Sequence, residues 1–235
     1  MIHLYGLCYW LLPYAQKALD SLLENASEPL CITVVEGRSK NSDKFLEWGK
    51  QCISEGKIER FIAASDNCRG KGLVEAFHQY PPYYSGEDFC IFTDLDLLFP
   101  QGYDWIKATR EAMKVGSTSG FQLSDENYVP PNYGWNLNER SYGNWVMGIK
   151  IEAFRTYPRE WSFQDSVVIN HALKYGPQVQ IQQRVYHMGW DAWKPLPEGD
   201  PEYWRLKHEN MNWQEANGKY ITYTTYDKNN VLKKR

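Results

Sequence analysis

The sequence predicts an α/β fold in three layers, with a mostly parallel central sheet covered by helices. Over residues 1–100, short apolar runs alternate with segments whose apolar residues recur at helical spacing. A helix between successive strands makes those strands parallel. Residues 30–35 are apolar and β-branched almost throughout, as expected of a strand that is buried on both faces.

The first half of the chain is predicted to contain four strands and three helices. Pro13 occupies a position that first helical turns accept, and Ser42 with Asp43 can cap the second helix. A polar loop with glycines, residues 65–72, precedes the third helix. The predicted strands are 2–10, 30–35, 58–64 and 89–92, and the predicted helices are 13–25, 42–52 and 73–80.

The second half is less regular, and a long segment divides it. Residues 124–142 are rich in Asn, Pro, Tyr and Trp, and a loop of that length is usually a binding loop or a lid. Around this loop we predict helices at 105–113, from 152, and at 166–174, and strands at 119–123, 143–149 and 179–186.

Length and composition limit the organisation and the partners. The chain has 235 residues and a formal net charge of -3, which fits one domain over residues 1–226 and argues against nucleic acid as a partner. We expect a nucleotide-binding half, 1–100, an acceptor half, 101–226, and a flexible basic tail, 227–235. The five cysteines form no C-x-x-C pair and no apolar run approaches roughly 20 residues, which predicts a cytoplasmic protein without a transmembrane segment.

Two carboxylates follow the predicted strand at 89–92. Residues i and i+2 of an extended segment point to the same side, so Asp94 and Asp96 can converge on one point. Two close carboxylates that lose hydration repel each other, and a divalent cation removes that cost. The D-x-D pattern therefore predicts a metal site for a phosphorylated ligand, although an isolated pair can also simply cap a loop.

The order of these parts resembles the nucleotide-sugar-dependent glycosyltransferases of the GT-A fold, most closely the family-2-like group. The resemblance covers roughly residues 2–190. Its segments are the Val34–Ser39 strand end, the loop Asn67 to Gly72, Asp94-Leu95-Asp96, Gly143 to Gly148, Gln164-Asp165 and the late His187.

The resemblance implies a role for each matching residue. Mn²⁺ or Mg²⁺ would be held by Asp94, Asp96 and His187, and an imidazole among oxygen ligands favours Mn²⁺. The residues implied to bind the donor are Glu36, Arg38, Asn67, Arg69, Lys71, Asp94, Asn144, Trp145 and Gly148. The aromatic residues that can contact an acceptor are Tyr133, Trp135 and Trp190.

Asp165 resembles the acidic residue that acts as general base in inverting members. It would take the proton of the acceptor hydroxyl as that oxygen attacks the anomeric carbon. Gln164 stands where the family usually has another acid, and residues 162–165 also fit a capping box, so a structural role stays open.

The sequence therefore predicts a metal-dependent, inverting glycosyltransferase of the hexosyltransferase type, with UDP-sugar as donor and a hydroxyl-bearing acceptor, a saccharide or another molecule. One alternative is a nucleotidyltransferase acting on sugar phosphates, but it needs a glycine-rich loop after the first strand, and residues 11–14 contain no glycine. The other is a non-catalytic sugar-binding module derived from a transferase. The sugar, the acceptor and the oligomeric state do not follow from the sequence.

Overall fold

The structure is a computed structural model that describes residues 1–68, 70–83, 86–99, 101–123, 146–188, 201–210 and 220–232. Within these residues, nine strands form one sheet. The strand order is β5-β8-β6-β7-β4-β1-β2-β3-β9. The strands are β1 (Ile2–Cys8), β2 (Leu30–Glu36), β3 (Arg60–Ala64), β4 (Phe89–Asp94), β5 (Leu97–Leu98), β6 (Thr118–Leu123), β7 (Val146–Lys150), β8 (Gln178–His187) and β9 (Tyr223–Asp227).

Helices cover both faces of this sheet, which gives the predicted three layers. They are α1 (Leu12–Glu24), α2 (Ser42–Ser54), α3 (Lys71–Gln79), α4 (Trp105–Met113), α5 (Ile151–Arg155), α6 (Asp165–Ala172), α7 (Pro201–Asn210) and α8 (Lys228–Leu232). The four neighbouring strands β4, β1, β2 and β3 run parallel, as the alternation of strands and helices predicted. Strands β7 and β9 flank this group and are antiparallel to it.

Side chains of the central strands alternate between two apolar cores. In β4, Phe89 and Ile91 join the core under α1, α2, α4 and α7, while Cys90 and Phe92 join the core under α3, α5 and α6. This alternation follows from the two-residue period of a strand. It also explains why the central strands read as continuous apolar runs, since both faces are buried.

The structure adds four elements to those predicted. Strands β5 and β9 and helices α7 and α8 were not predicted. Within the predicted basic tail, Asp227 ends β9 and Lys228–Leu232 forms α8, which packs on α2. None of the described helices combines the length and apolar composition needed to cross a membrane.

Helix α2 approaches the sheet closely at a glycine. A Cβ added to Gly49 would overlap the ring of Phe61, which is fully buried in β3. We expect Gly49→Ala to destabilise the protein by about 1–3 kcal/mol, because the ring cannot move aside in a packed core. Alanine favours a helix by about 1 kcal/mol over glycine, so propensity alone predicts the opposite sign.

Urea denaturation measures this difference. Glu47→Ala, at an exposed position of the same helix, is the matched control and should change the free energy of unfolding by less than about 0.5 kcal/mol. A stabilised Gly49→Ala variant would show that α2 does not sit this close to β3.

Candidate active site

The candidate site lies where three parallel strands end together. Leu7 of β1 is opposite Asp94 of β4, and Cys8 of β1 is opposite Glu36 of β2. The polar residues that follow these strands therefore meet at one edge of the sheet, which is where open α/β sheets bind ligands.

Asp94 opens into a cavity of about 200 Å³ at this edge. Asp165 stands across from it at the start of α6, on the same face of the sheet as Phe92. The cavity is lined by Leu7, Gly70, Leu73, Phe92, Thr93, Asp94, Phe163 and Asp165. Two acidic side chains thus face a common space whose other walls are mostly apolar.

This arrangement makes the charged form of Asp94 unfavourable. Loss of hydration raises its pKa to about 8, and the negative charges of Asp96 and Asp165 add to the rise. His187 acts in the opposite direction. Asp96, Asp165 and His187 are therefore all close enough to Asp94 to affect its ionisation.

Asp96 does not continue the strand that delivers Asp94. Strand β4 ends at Asp94, Leu95 packs its side chain against Gly6, and the chain turns before β5. Asp96 Oδ2 consequently lies 3.3 Å from His187 Nε2, the last residue of β8. The main chain holds this arrangement, because the amide of Met188 donates a 3.0 Å hydrogen bond to the Asp96 carbonyl. Asp94 thus ends the strand and Asp96 lies in the turn, so the two are not on one extended segment, and a metal site of Asp94, Asp96 and His187 stays a prediction.

Tyr203 is a site residue that the sequence reading missed. It belongs to α7, its side chain is 2% exposed, and its hydroxyl donates to Asp96 Oδ2 at 3.3 Å. Pro201 at the start of a segment rich in helix formers could have predicted the helix. No local pattern marks which of its residues reaches the acidic edge.

The position of Asp165 is fixed by a contact with the neighbouring helix of the same layer, α3. A Cβ on Gly70 would overlap the carbonyl oxygen of Phe163, so the start of α3 and the segment before α6 are in close contact. The capping box considered for residues 162–165 is absent, since α6 begins at Asp165 and Gln164 makes no side-chain capping bond. The Asp165 carboxylate is thus on the cavity wall rather than in that motif.

The Glu36 carboxylate makes its hydrogen bonds within the loop that follows β2. Its Oε1 accepts hydrogen bonds from the amide and hydroxyl of Ser39, at 2.6 and 2.7 Å, and the Ser42 hydroxyl lies 3.0 Å from Oε2. Burial raises the pKa of Glu36, and these hydrogen bonds oppose the rise. The carboxylate therefore shapes the turn after β2, and a direct contact with a ligand stays a prediction.

Two residues at this rim have left-handed backbones, which is unusual for residues other than glycine. They are Trp10, with φ 55°, and Arg38, with φ 66°. The amide of Trp10 donates a 2.6 Å hydrogen bond to Ser39 Oγ, so the loops after β1 and β2 brace each other. Backbone strain of this kind concentrates at functional sites, and Arg38 is exposed there.

The remaining residues predicted to bind the donor or the acceptor fall into three groups. Asn67 is buried and Lys71 is exposed at the first position of α3, both beside the cavity wall at Gly70. Gly148 pairs with Ile91 inside the sheet, and a Cβ there would overlap Ser119, so close packing accounts for the glycine and its implied contact with the donor stays a prediction. Six predicted residues lie outside the described part of the chain, namely Arg69, Tyr133, Trp135, Asn144, Trp145 and Trp190.

The donor atoms fit a divalent cation in part. A separation of 3.3 Å between Asp96 Oδ2 and His187 Nε2 suits two ligands that share one ion at about 2.1 Å each. Among the described residues, no three His, Cys, Asp or Glu side chains are grouped closely enough to hold an ion by themselves. Any ion here would need further oxygen ligands, such as water or phosphate.

The sheet order, the three layers and the acidic edge together define an α/β protein of the GT-A type, and comparison with solved structures agrees. No protein-family model matches the chain, and no curated protein matches it in sequence. Residues 1–349 of S. aureus TarS in complex with UDP match with a TM-score of 0.56 at 15% identity, over 79% of this chain and 60% of that one. The same fragment in complex with UDP-GlcNAc has a TM-score of 0.56 at 14% identity, over 92% and 68%.

A second similar structure is the mannosyltransferase PcManGT from Pyrobaculum calidifontis in complex with GDP-Man and Mn²⁺. It has a TM-score of 0.57 at 13% identity, over 88% of this chain and 60% of that one. The chain thus spans about 60% of the length of PcManGT and of the UDP-bound TarS fragment. At such low identity the likeness concerns the fold, and it confirms the predicted GT-A fold.

The raised pKa of Asp94 predicts how stability changes with pH. Between the ordinary carboxyl pKa near 4 and the folded value of about 8, the folded chain keeps a proton that the unfolded chain releases. The free energy of unfolding of the metal-free protein should therefore fall as the pH rises from 4 to 8. Asp94→Asn should leave stability unchanged at pH 4 and increase it by at most about 5 kcal/mol at pH 8, since each unit of pKa shift corresponds to about 1.4 kcal/mol.

Urea unfolding in EDTA at the two pH values provides the measurement. Glu47→Gln, which removes an exposed carboxylate from α2, controls for a general loss of negative charge. An equal dependence on pH in wild type and Asp94→Asn would contradict the assignment.

Proposed function

We propose that the protein is a metal-dependent glycosyltransferase that moves a sugar, of hexose type, from a nucleotide-sugar donor to a hydroxyl acceptor with inversion. The observation that carries this proposal is the convergence of Asp94, Asp96, Asp165 and His187 at the carboxyl edge of the sheet, next to a cavity. The GT-A fold supports it, since the similar structures were solved with UDP, UDP-GlcNAc or GDP-Man.

The metal-binding part of the proposal rests on Asp96, His187 and Asp94. Asp96 Oδ2 and His187 Nε2 lie 3.3 Å apart, and burial together with the charges of Asp96 and Asp165 raises the pKa of Asp94 beside them. A divalent cation bound there supplies positive charge that stabilises a departing nucleoside diphosphate. Mn²⁺ suits a mixed carboxylate and imidazole set better than Mg²⁺ does.

The acid-base part rests on Asp165. Its carboxylate faces the cavity from the layer opposite to Tyr203, across from Asp94. An acceptor hydroxyl that enters the cavity can lose its proton to this carboxylate as its oxygen attacks the anomeric carbon.

The donor would lie along the edge between the rim and Asp94. Arg38 and Lys71 can neutralise phosphate oxygens, and the strained turn near Trp10 and Glu36 fixes the wall on which the nucleotide rests. We propose UDP as the nucleotide, since TarS is similar and was solved with UDP. A cytoplasmic location stays a prediction from the composition.

Geometry disfavours the nucleotidyltransferase alternative. Helix α1 begins at Leu12, four residues after β1 ends at Cys8, and the strained Trp10 fills that connection. A loop that wraps phosphates with its amides needs glycines at this place. Turnover of a nucleotide sugar would distinguish an enzyme from the other alternative, a non-catalytic sugar-binding module.

Asp96 should be required for turnover with Mn²⁺. In a donor hydrolysis assay against a panel of nucleotide sugars with Mn²⁺, we expect one nucleotide class to be cleaved and chelation to abolish cleavage. Asp96→Ala should lower that rate roughly 100-fold or more, because charge on the leaving group loses its stabilisation. The matched control is Asp88→Ala, an exposed aspartate at the opposite end of β4. Cleavage of donor that survives both EDTA and Asp96→Ala would contradict metal dependence.

Asp165 should act on transfer and not on donor binding. Asp165→Asn should reduce kcat by roughly 100- to 10,000-fold, the contribution of a general base, while calorimetry gives an unchanged Kd for UDP. Gln164→Ala, which removes an exposed neighbour, should retain full activity. Weaker UDP binding with an unchanged transfer rate would show that Asp165 belongs to the donor site.

A further inference from the structure

Helix α7 contacts the acidic edge through Tyr203. Tyr203 is buried, and its ring packs edge-on against Tyr14 of α1 at 5.2 Å and against His187 at 6.0 Å. These contacts place the helix on the core shared by α1 and α4. The end of the Tyr203 side chain therefore reaches the residue that follows β4 by two positions, Asp96.

Asp96 Oδ2 receives two contacts of equal length. Tyr203 Oη and His187 Nε2 each lie 3.3 Å from this oxygen. A phenol can only donate to a carboxylate, whereas the imidazole donates only when Nε2 carries a proton. Nitrogen that binds a metal must be unprotonated, so His187 cannot both bind a cation through Nε2 and donate to Asp96. The Tyr203 hydroxyl can keep its hydrogen bond to Asp96 in either case.

We propose that Tyr203 is a positioning residue that orients Asp96 for a divalent cation. Its hydrogen bond to Asp96 thereby couples the packing of α7 on the core to cation binding. This inference rests on the metal-dependent function proposed above. Groups that hydrogen-bond to a metal ligand fix its orientation, and their removal typically lowers metal affinity by about 10- to 100-fold. Coupling of this kind is reciprocal, so a bound cation must also hold α7 more firmly in place.

The test replaces Tyr203 by phenylalanine, which removes the hydroxyl and keeps the ring. Mn²⁺ affinity in the presence of UDP is measured from the electron paramagnetic resonance signal of free Mn²⁺, and amide hydrogen exchange is followed in 201–210. Tyr203→Phe should weaken Mn²⁺ binding about 10-fold. In EDTA it should speed exchange in α7 by about 3- to 10-fold, the loss of one hydrogen bond.

The matched control is Tyr5→Phe. Tyr5 is also fully buried, and its hydroxyl donates one hydrogen bond, of 2.6 Å, to the carbonyl of Tyr80. This change should leave both Mn²⁺ affinity and α7 exchange as in wild type. In the wild-type protein, Mn²⁺ with UDP should slow exchange in α7, and Tyr203→Phe should reduce that protection.

The outcomes separate the inference from the proposed function. If wild type binds neither Mn²⁺ nor Mg²⁺, the metal-dependent function is wrong and the coupling falls with it. If wild type binds Mn²⁺ but Tyr203→Phe binds it equally well, the function stands and the role of Tyr203 is overturned, whether or not α7 exchanges faster. If Tyr5→Phe weakens Mn²⁺ binding as much as Tyr203→Phe does, the effect is general and the coupling is again refuted.

Discussion

The loss of hydration at Asp94, reinforced by repulsion from neighbouring carboxylates, is the constraint on which the acidic edge depends. Asp94 shares its surroundings with Asp96 and Asp165, and poor hydration prevents water from screening their charges. Gathering acids in this way weakens the fold, so the arrangement favours any cation that can neutralise them. His187 partly offsets this effect. Its ring lies 3.3 Å from Asp96 Oδ2, and it acts to lower the pKa of Asp94.

The surrounding structure holds these groups in place through main-chain contacts. The amide of Leu95 donates to the Leu7 carbonyl, and that of Met188 donates to the Asp96 carbonyl, so the turn after β4 is tied to β1 and β8 at once. From the other layer, the contact of Gly70 with Phe163 fixes the approach of α6. The acids are therefore presented by regular elements rather than by a single loop, which is how precise sites are usually supported.

Some residues that the sequence assigns to the ligand also have a structural role. Glu36, at the end of β2, accepts hydrogen bonds from Ser39 and Ser42, and its contact with a ligand stays a prediction. Gly148 of β7, which the resemblance implies in donor binding, also permits close packing against Ser119. A local pattern identifies the residue type and the strand or helix to which it belongs. The residue that contacts its side chain can come from a distant part of the chain, so the pattern does not identify it.

The sequence by itself determined the strands and helices from β1 to β4, the parallel core and the edge at which Asp94 and Asp96 lie, because periodicity and strand order are local and additive. Only the tertiary structure decided that Asp96 turns toward His187, that Asp165 faces Asp94 across a cavity, and that Tyr203 reaches Asp96. Asp96 and Tyr203 are 107 positions apart. Such contacts depend on how whole elements pack, and no pattern within one segment carries that information.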